Sequence, residues 1–438
     1  MNWEEELKKK LISYEEAAKL IKSGDFLLIA TGYEPAGICY ALAGRMDELK
    51  GVRIVPGLAG RDFAYYDAGW EDSFLITPLY VMPATAQGMA EKRSDFIVVD
   101  MLANTYEDLE EGIDVLLLTV SPPDNNGFCS FGGSVWNKQE QIKAAKLVLA
   151  ELNPYFIRTY GDNFAHISEI DYFTEHLSMG KEAKTRDVLG RTITGPGEAE
   201  KKLAQNLSTL IKDGDTIQIG ASGSTEFLPQ LGVFDNKNDL GIHTELIPGP
   251  LIHMVEKGVV TGARKTIDRG KAVGTAIGGG REEYAFVNQN PAFELRTSYY
   301  TNDPRIIAQN DNMVAINSAF AVDLTGQIAT DSLGHRQLAG TGGQLAFAIG
   351  AQMSKGGRYI VVLPSLGGEH HSRIVASFEP GTIVSIPRTL ADYIVTEYGI
   401  ASLRGKSQRR RAEELIAIAH PDFREELRKE AQKLFWPG

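Results

Sequence analysis

The sequence predicts an α/β protein made of two similar open α/β domains with largely parallel sheets. Three observations carry this. A helix–glycine–strand unit occurs once in each half of the chain. An Asp-containing turn motif follows it in each half, in the same order. Between them, short apolar runs alternate with amphipathic helical patterns. The length of 438 residues also fits two domains better than one.

The first echo pairs residues 20–32, LIKSGDFLLIATG, with residues 210–222, LIKDGDTIQIGAS. Each follows an amphipathic helical pattern, YEEAAKL in one half and EAEKKLAQNLSTL in the other. Gly24 and Gly214 suit the left-handed position after a helix, where a side chain would clash. The second echo pairs SPPDNNGFCSFG (121–132) with AVDLTGQIATDSLG (321–334), each reading Asp, two residues, Gly, then a small-residue strand. Helix–Gly–strand units recur by chance in α/β proteins, but the shared order favours duplication. The boundary falls near Gly195-Pro196-Gly197, giving an N-terminal domain over 1–196 and a C-terminal domain over 197–438. DVLLLTVS (114–121), KLVLAEL (146–152), RYIVVLPS (358–365) and GTIVSIP (381–387) read as buried strands. Residues 407–435 read as two helices broken at Pro421.

Composition narrows the function classes. With 43% hydrophobic and 23% charged residues, the chain is an ordinary soluble globular protein. Cys39 and Cys129 are its only cysteines, so a reducing compartment and no disulfide framework are expected. The charged amphipathic start lacks a signal-peptide core, and no run approaches the roughly 20 apolar residues of a membrane span. The expectation is a cytoplasmic protein without a membrane partner. A net charge of −12 argues against nucleic acid, yet is compatible with a small anionic ligand held by backbone amides.

Candidate chemistry is sparse. His370 and His371 stand beside Glu369 without metal-ligand spacing, so no metal site is assigned. No GxxxxGK[ST] occurs. GASGS (220–224) follows a strand pattern, at the position where open α/β sheets bind ligands; its plain reading is a tight strand-to-helix turn. AGTGGQLAF (339–347) and IGGGR (277–281) are further glycine clusters, the first read as packed and functional. Ser222 and Ser224 lack the spacing of a nucleophile elbow, and Cys129 reads as a small core residue. Glu245, in LGIHTELIPGP (240–250), ends an apolar strand pattern just before a proline-bracketed turn. A lone glutamate is ordinarily a surface residue. This one belongs at a strand end, near GASGS if the two strands are neighbours.

Together these motifs resemble the acetyl-CoA hydrolase/transferase family of class I coenzyme A transferases, and within it the 4-hydroxybutyrate CoA-transferase branch. In the N-terminal half the resemblance rests on VSPPDNNGF (120–128), AKLVLAELN (145–153) and YGDNFAHISEID (160–171). In the C-terminal half it rests on LGIHTEL (240–246), NQNPAFELR (288–296), AINSAFAVDLTGQIATDSLG (315–334), GTGGQLAF, DYIVTEYGIASLRGKS (392–407) and IAHPDF (418–423).

The resemblance implies that Glu245 is the catalytic glutamate. It implies that Gly220, Ala221, Ser222, Gly223 and Ser224 line the CoA thioester, and that Gly340 and Gly343 form a glycine loop approaching CoA. It implies a CoA-transferase that moves CoA from an acyl-CoA, with acetyl-CoA the favoured donor, to a short acid such as 4-hydroxybutyrate or butyrate, by a ping-pong mechanism through a glutamyl–CoA thioester. Acyl-CoA and a short carboxylic acid would be substrates, with no permanently bound cofactor, and a homodimer is expected. A hydrolase on the same fold and a non-catalytic CoA-binding protein are the alternatives. The chain departs from the family's usual pattern at GASGSTEFLP, at Pro-Gly-Pro after Glu245 and at TAIGGGREE. These departures bear on the identity of the acid.

Overall fold

The computed structural model describes residues 3–99, 112–177, 196–221, 225, 227–368 and 370–437. In it the two Gly-Asp echoes fold the same way. Gly24 and Gly214 both take positive φ, +83° and +77°, where a Cβ would be strained. Each is followed by an aspartate whose carboxylate accepts the amide three residues back, Asp25 from Lys22 and Asp215 from Lys212, both at 2.7 Å. These turns deliver the chain into the first strand of each sheet.

Two compact units result, one of Met1–Ile193 with Thr275–Tyr300 and one of Thr194–Gly274 with Thr301–Gly438. The first unit's sheet contains β1 (Phe26–Ile29), β2 (Val52–Pro56), β3 (Phe74–Ile76), β4 (Ile113–Val120), β5 (Ala145–Leu152) and β6 (Tyr172–Thr174). Their order is β3-β2-β1-β4-β5-β6, and every pairing is parallel.

The second unit repeats this with β7 (Thr216–Ile219), β8 (Gly241–His243), β9 (Ala272–Gly274), β10 (Met313–Ser318), β11 (Arg358–Val362) and β12 (Tyr393–Thr396). Their order is β9-β8-β7-β10-β11-β12, again parallel, with an antiparallel β13 (Gly399–Ser402) beside β12. Both units are therefore doubly wound. The strand order reverses beside β1 in one and beside β7 in the other, opening the crevice where such sheets take ligands.

The central strands are mostly apolar and buried, as suits parallel sheets covered on both faces. In the second unit, helices α1 (Gln344–Met353) and α2 (Gln408–Ile418) bury Phe347, Ala348, Ala351, Ala412 and Leu415 in one core with Val322, Tyr359 and Val361. A 3₁₀ turn at Pro421–Phe423 then separates α2 from a helix over Arg424–Phe435, the break expected at Pro421.

The second echo is also structural. After β4, Asp124 Oδ1 accepts the amides of Asn126 and Phe128, and Gly127 sits at φ +86°. After β10, Asp323 Oδ1 accepts the amides of Thr325 and Gln327, and Gly326 sits at φ +93°. One Asp side chain thus closes the same turn in both units.

Two expectations are corrected. Residues 381–387 form no strand. Ile383 and Val384 are exposed, and only Ile386 bridges to Ile328. A β-rich composition between Pro380-Gly381 and Pro387 lacks the neighbouring strand that pairing requires. Residues 275–300, placed by sequence with the second half, pack instead with the first unit. Strand Phe293–Leu295 pairs with Tyr160–Gly161, the Ile277 amide bonds Gly133 O at 2.8 Å, and Asn288 and Gln289 bond Arg158. Among the described residues, no helix is long and apolar enough to cross a membrane.

Asp323 is 2% exposed and accepts four hydrogen bonds, from the amides of Thr325 and Gln327 and from both their side chains. Asp323→Ala leaves these donors without their acceptor. It is expected to destabilise the fold by about 2 kcal/mol or more, measured as a lowered unfolding midpoint.

Candidate active site

The carboxyl edge of the second sheet gathers Gly220, Glu245 and Gly343. β7 and β8 are neighbours, with Thr216 opposite Gly241 and Ile217 opposite Ile242. Continuing that register brings Gly220 level with Glu245. The Thr244 hydroxyl ties the two strand ends, donating to Ile219 O at 3.4 Å and to Leu246 O at 3.2 Å. The Pro-Gly-Pro that follows is more than a turn, for Pro248 is the N-cap of a helix over Gly249–Glu256. Proline suits this first turn, where a backbone N–H has no helical partner to lose.

Asn302 Nδ2 donates to Glu245 Oε2 at 2.7 Å. Gly343, buried at the N-cap of α1, abuts the same atoms. A Cβ there would meet Glu245 Oε2 and Asn302 Nδ2, so a larger residue would push the carboxylate and its amide partner aside. Glu245 is half-buried as a residue, but its carboxyl is enclosed enough for burial to raise its pKa above the ordinary glutamate value. The Asn302 hydrogen bond acts in the opposite direction. The partial positive charge at the start of α1 also favours the anion.

Of the GASGS residues, Gly220 and Ala221 are half-buried. The Gly220 amide donates to Ile316 O at 2.8 Å, and its carbonyl accepts from the Thr225 hydroxyl. A Cβ on Gly220 would lie 2.5 Å from Asn317 Oδ1, and Asn317 is locked in a reciprocal amide pair with Gln218. Ser222, Gly223 and Ser224 lie outside the described residues, as does Glu369. Gly340 is buried in the segment leading to Gly343, and Gly342 between them takes φ +58°.

Asn302 was not singled out from the sequence. Its local signal is TNDP, in which Asp303 N-caps a short helix starting at Pro304, and nothing in it points to a partner 57 positions earlier. Cys129 and the basic residues near the last helices have structural roles. Burial pushes the Cys129 thiol up to about 12, leaving it inert. Lys406 pairs with Glu414, Arg409 bonds Phe435 O, and Arg411 bonds the carbonyls of Thr325 and Arg388.

A carboxyl whose pKa is raised in the fold costs no stability below its unfolded pKa, where both states are protonated. The cost accumulates as pH rises from the unfolded pKa through the folded one, because the unfolded carboxyl ionises freely while the folded one must keep its proton or hold a disfavoured charge. Glu245→Gln is therefore expected to raise the melting temperature at pH 8. That gain shrinks toward pH 4, and melting curves across this range check it.

Family models for the acetyl-CoA hydrolase/transferase N-terminal and C-terminal domains match residues 1–180 and 279–431. The chain is 38% identical to the 4-hydroxybutyrate coenzyme A transferase of Clostridium kluyveri, covering 99% of this chain and 100% of that one. It is 34% identical to the butyryl-CoA:acetate CoA-transferase of Anaerostipes caccae, covering 99% and 98%. The crystal structure of RipA from Yersinia pestis superposes with a TM-score of 0.90 at 32% identity, over the full length of both chains.

Proposed function

Because the chain belongs to the acetyl-CoA hydrolase/transferase family, we propose that this enzyme transfers CoA from a short acyl-CoA to a short carboxylic acid, with Glu245 as nucleophile. The observation that carries this reading is the seating of the Glu245 carboxyl, held by Asn302 and admitted by the missing side chain at Gly343. A carboxylate is a weak nucleophile, so it needs a fixed aim and an environment that does not over-stabilise it.

With Oε2 held by Asn302, Oε1 attacks the thioester carbonyl. The carbonyl π electrons move to oxygen, and the resulting oxyanion collapses with cleavage of the C–S bond. CoA leaves as the thiolate, and Glu245 is left as a mixed anhydride. The thiolate then attacks the glutamyl carbonyl and expels the donor's carboxylate, giving a glutamyl–CoA thioester. An incoming acid reverses both steps and leaves as its own CoA ester. One activated bond is exchanged for another, so ATP has no part, and CoA passes through as substrate rather than as a resident cofactor. This is nucleophilic catalysis with ping-pong kinetics.

Each tetrahedral oxyanion needs donors. Asn302 Nδ2, through its second hydrogen, and the amides at the start of α1 are the groups we assign to it; losing one such donor typically costs about 3 kcal/mol of barrier. 4-Hydroxybutyrate and butyrate are the acceptors this reading favours, following the names of the relatives. The alternative, hydrolysis on the same fold, puts water in place of the second acid.

Acyl-CoA turnover with and without a panel of short acids separates the two. Transfer predicts new CoA esters by mass spectrometry only when an acid is present, and equal CoA release with and without acid contradicts it. Because Glu245 must be ionised to attack, kcat/KM is expected to fall as pH drops through a pKa above the ordinary glutamate value. Gly343→Ala is expected to lower kcat by about a hundredfold through displacement of the carboxylate, read by steady-state kinetics.

A further inference from the structure

Two residues before Glu245 stands His243, which the mechanism above does not use. It is fully buried. His243 ends β8 and Glu245 lies two residues beyond it, and both side chains meet the same turn at Thr301 and Asn302. His243 Nε2 lies 2.9 Å from the carbonyl oxygen of Thr301. A carbonyl only accepts, so Nε2 carries the proton and the tautomer is set. The next residue is Asn302, whose side chain has two faces in use. Its Oδ1 accepts the Thr301 hydroxyl at 2.9 Å, and its Nδ2 donates to Glu245 Oε2.

The chain of contacts therefore runs from His243 to the Thr301 backbone, from the Thr301 hydroxyl to the Asn302 amide, and from that amide to Glu245. Each link has a direction. If the Asn302 amide were reversed, its oxygen would face the carboxylate and repel it. The Thr301 hydroxyl, donating to Oδ1, selects the productive orientation. The imidazole also packs edge-on to Phe347, with ring centroids 6.5 Å apart. Phe347 is on α1, the helix that begins at Gly343. One side chain thus touches both the turn that carries Asn302 and the helix whose start abuts Glu245.

We propose that His243 is a positioning residue for Glu245, holding the Thr301–Asn302 turn so that the Asn302 amide meets the attacking carboxylate in a fixed orientation. This rests on the reading of Glu245 as nucleophile. The imidazole suits the task because it stays neutral. Burial, with Lys265 nearby, lowers its pKa to about 4, against opposing contributions from the Thr301 hydrogen bond and Asp268. A neutral ring keeps one donor on one acceptor throughout the range in which Glu245 is ionised.

The test compares His243→Gln, which keeps an N–H donor near the Nε2 position, with His243→Leu, which keeps bulk and removes the donor. His243→Leu is expected to lower kcat by about a hundredfold while KM for acetyl-CoA changes less than threefold. His243→Gln is expected to restore kcat to within a few-fold of the parent. The pH profile supplies a readout that general loosening of the fold would not move. Losing the Asn302 bond removes the contribution that lowers the pKa of Glu245, so the acid limb of kcat/KM moves to higher pH in His243→Leu and returns in His243→Gln.

A folded His243→Leu with parental kcat overturns the proposal, as does equal loss in both variants or an unmoved acid limb. If His243→Leu does not fold, Thr301→Val decides, since it breaks the next link with little change in shape. It is expected to lower kcat about five- to tenfold with the same shift of the acid limb, and parental behaviour refutes the proposal. Glu245→Gln, run alongside, separates the two readings. If it stays active, the nucleophile assignment itself is wrong. If it is dead while the His243 variants are unaffected, only the positioning role falls.

Discussion

The hydrogen bond from Asn302 to Glu245 is the interaction on which the proposed chemistry depends. Burying a carboxylate disfavours its charge, and a charge left without a partner would simply take up a proton. A strong ion pair would solve that problem and create another, since a tightly paired carboxylate makes a poor nucleophile. A neutral donor on one oxygen is a compromise. It offsets part of the rise in pKa that burial causes, fixes the aim of the carboxylate, and leaves the pKa above that of a solvated glutamate. Nearby, Gly343 gives up a side chain to admit Oε2, and Thr244 ties the end of β8 to β7.

The duplication shows why one unit carries the acid and the other does not. The first two strands of each sheet pair in matching registers, Phe26 with Arg53 and Thr216 with Gly241. The echo equates Phe26 with Thr216, so Arg53 corresponds to Gly241 and Gly57 to Glu245. Gly57 has no room for a side chain. A Cβ there would lie 2.5 Å from the Thr31 Cα and 2.6 Å from its amide nitrogen. The first unit has closed the strand-end position that the second holds open. The same strand order and the same Asp turn thus build one edge that closes on itself and one that presents a carboxylate.

Much of this was legible in the sequence because the signals were local. Gly24 and Gly214, Asp124 and Asp323, and the apolar strand just before Glu245 act through residues within a few positions of themselves, so short patterns record them. What escaped was non-local. The run at 381–387 has strand composition, but composition does not record whether a neighbouring strand exists. Residues 275–300 read as a continuation of the second half, whereas their partners are Gly133, Arg158 and Tyr160. Asn302 sits in an unremarkable loop, and its partner is distant in the chain.

The central claim is that Glu245 is the nucleophile and passes through a covalent glutamyl–CoA thioester. It is tested most directly by mixing the enzyme with acetyl-CoA in the absence of an acceptor acid, quenching, and mapping the peptides by mass spectrometry. The account predicts an adduct of CoA, less water, on the peptide containing Glu245, discharged by adding a short acid and absent in Glu245→Gln. Acid-dependent turnover with no adduct on that peptide, or with the adduct on another residue, would contradict it.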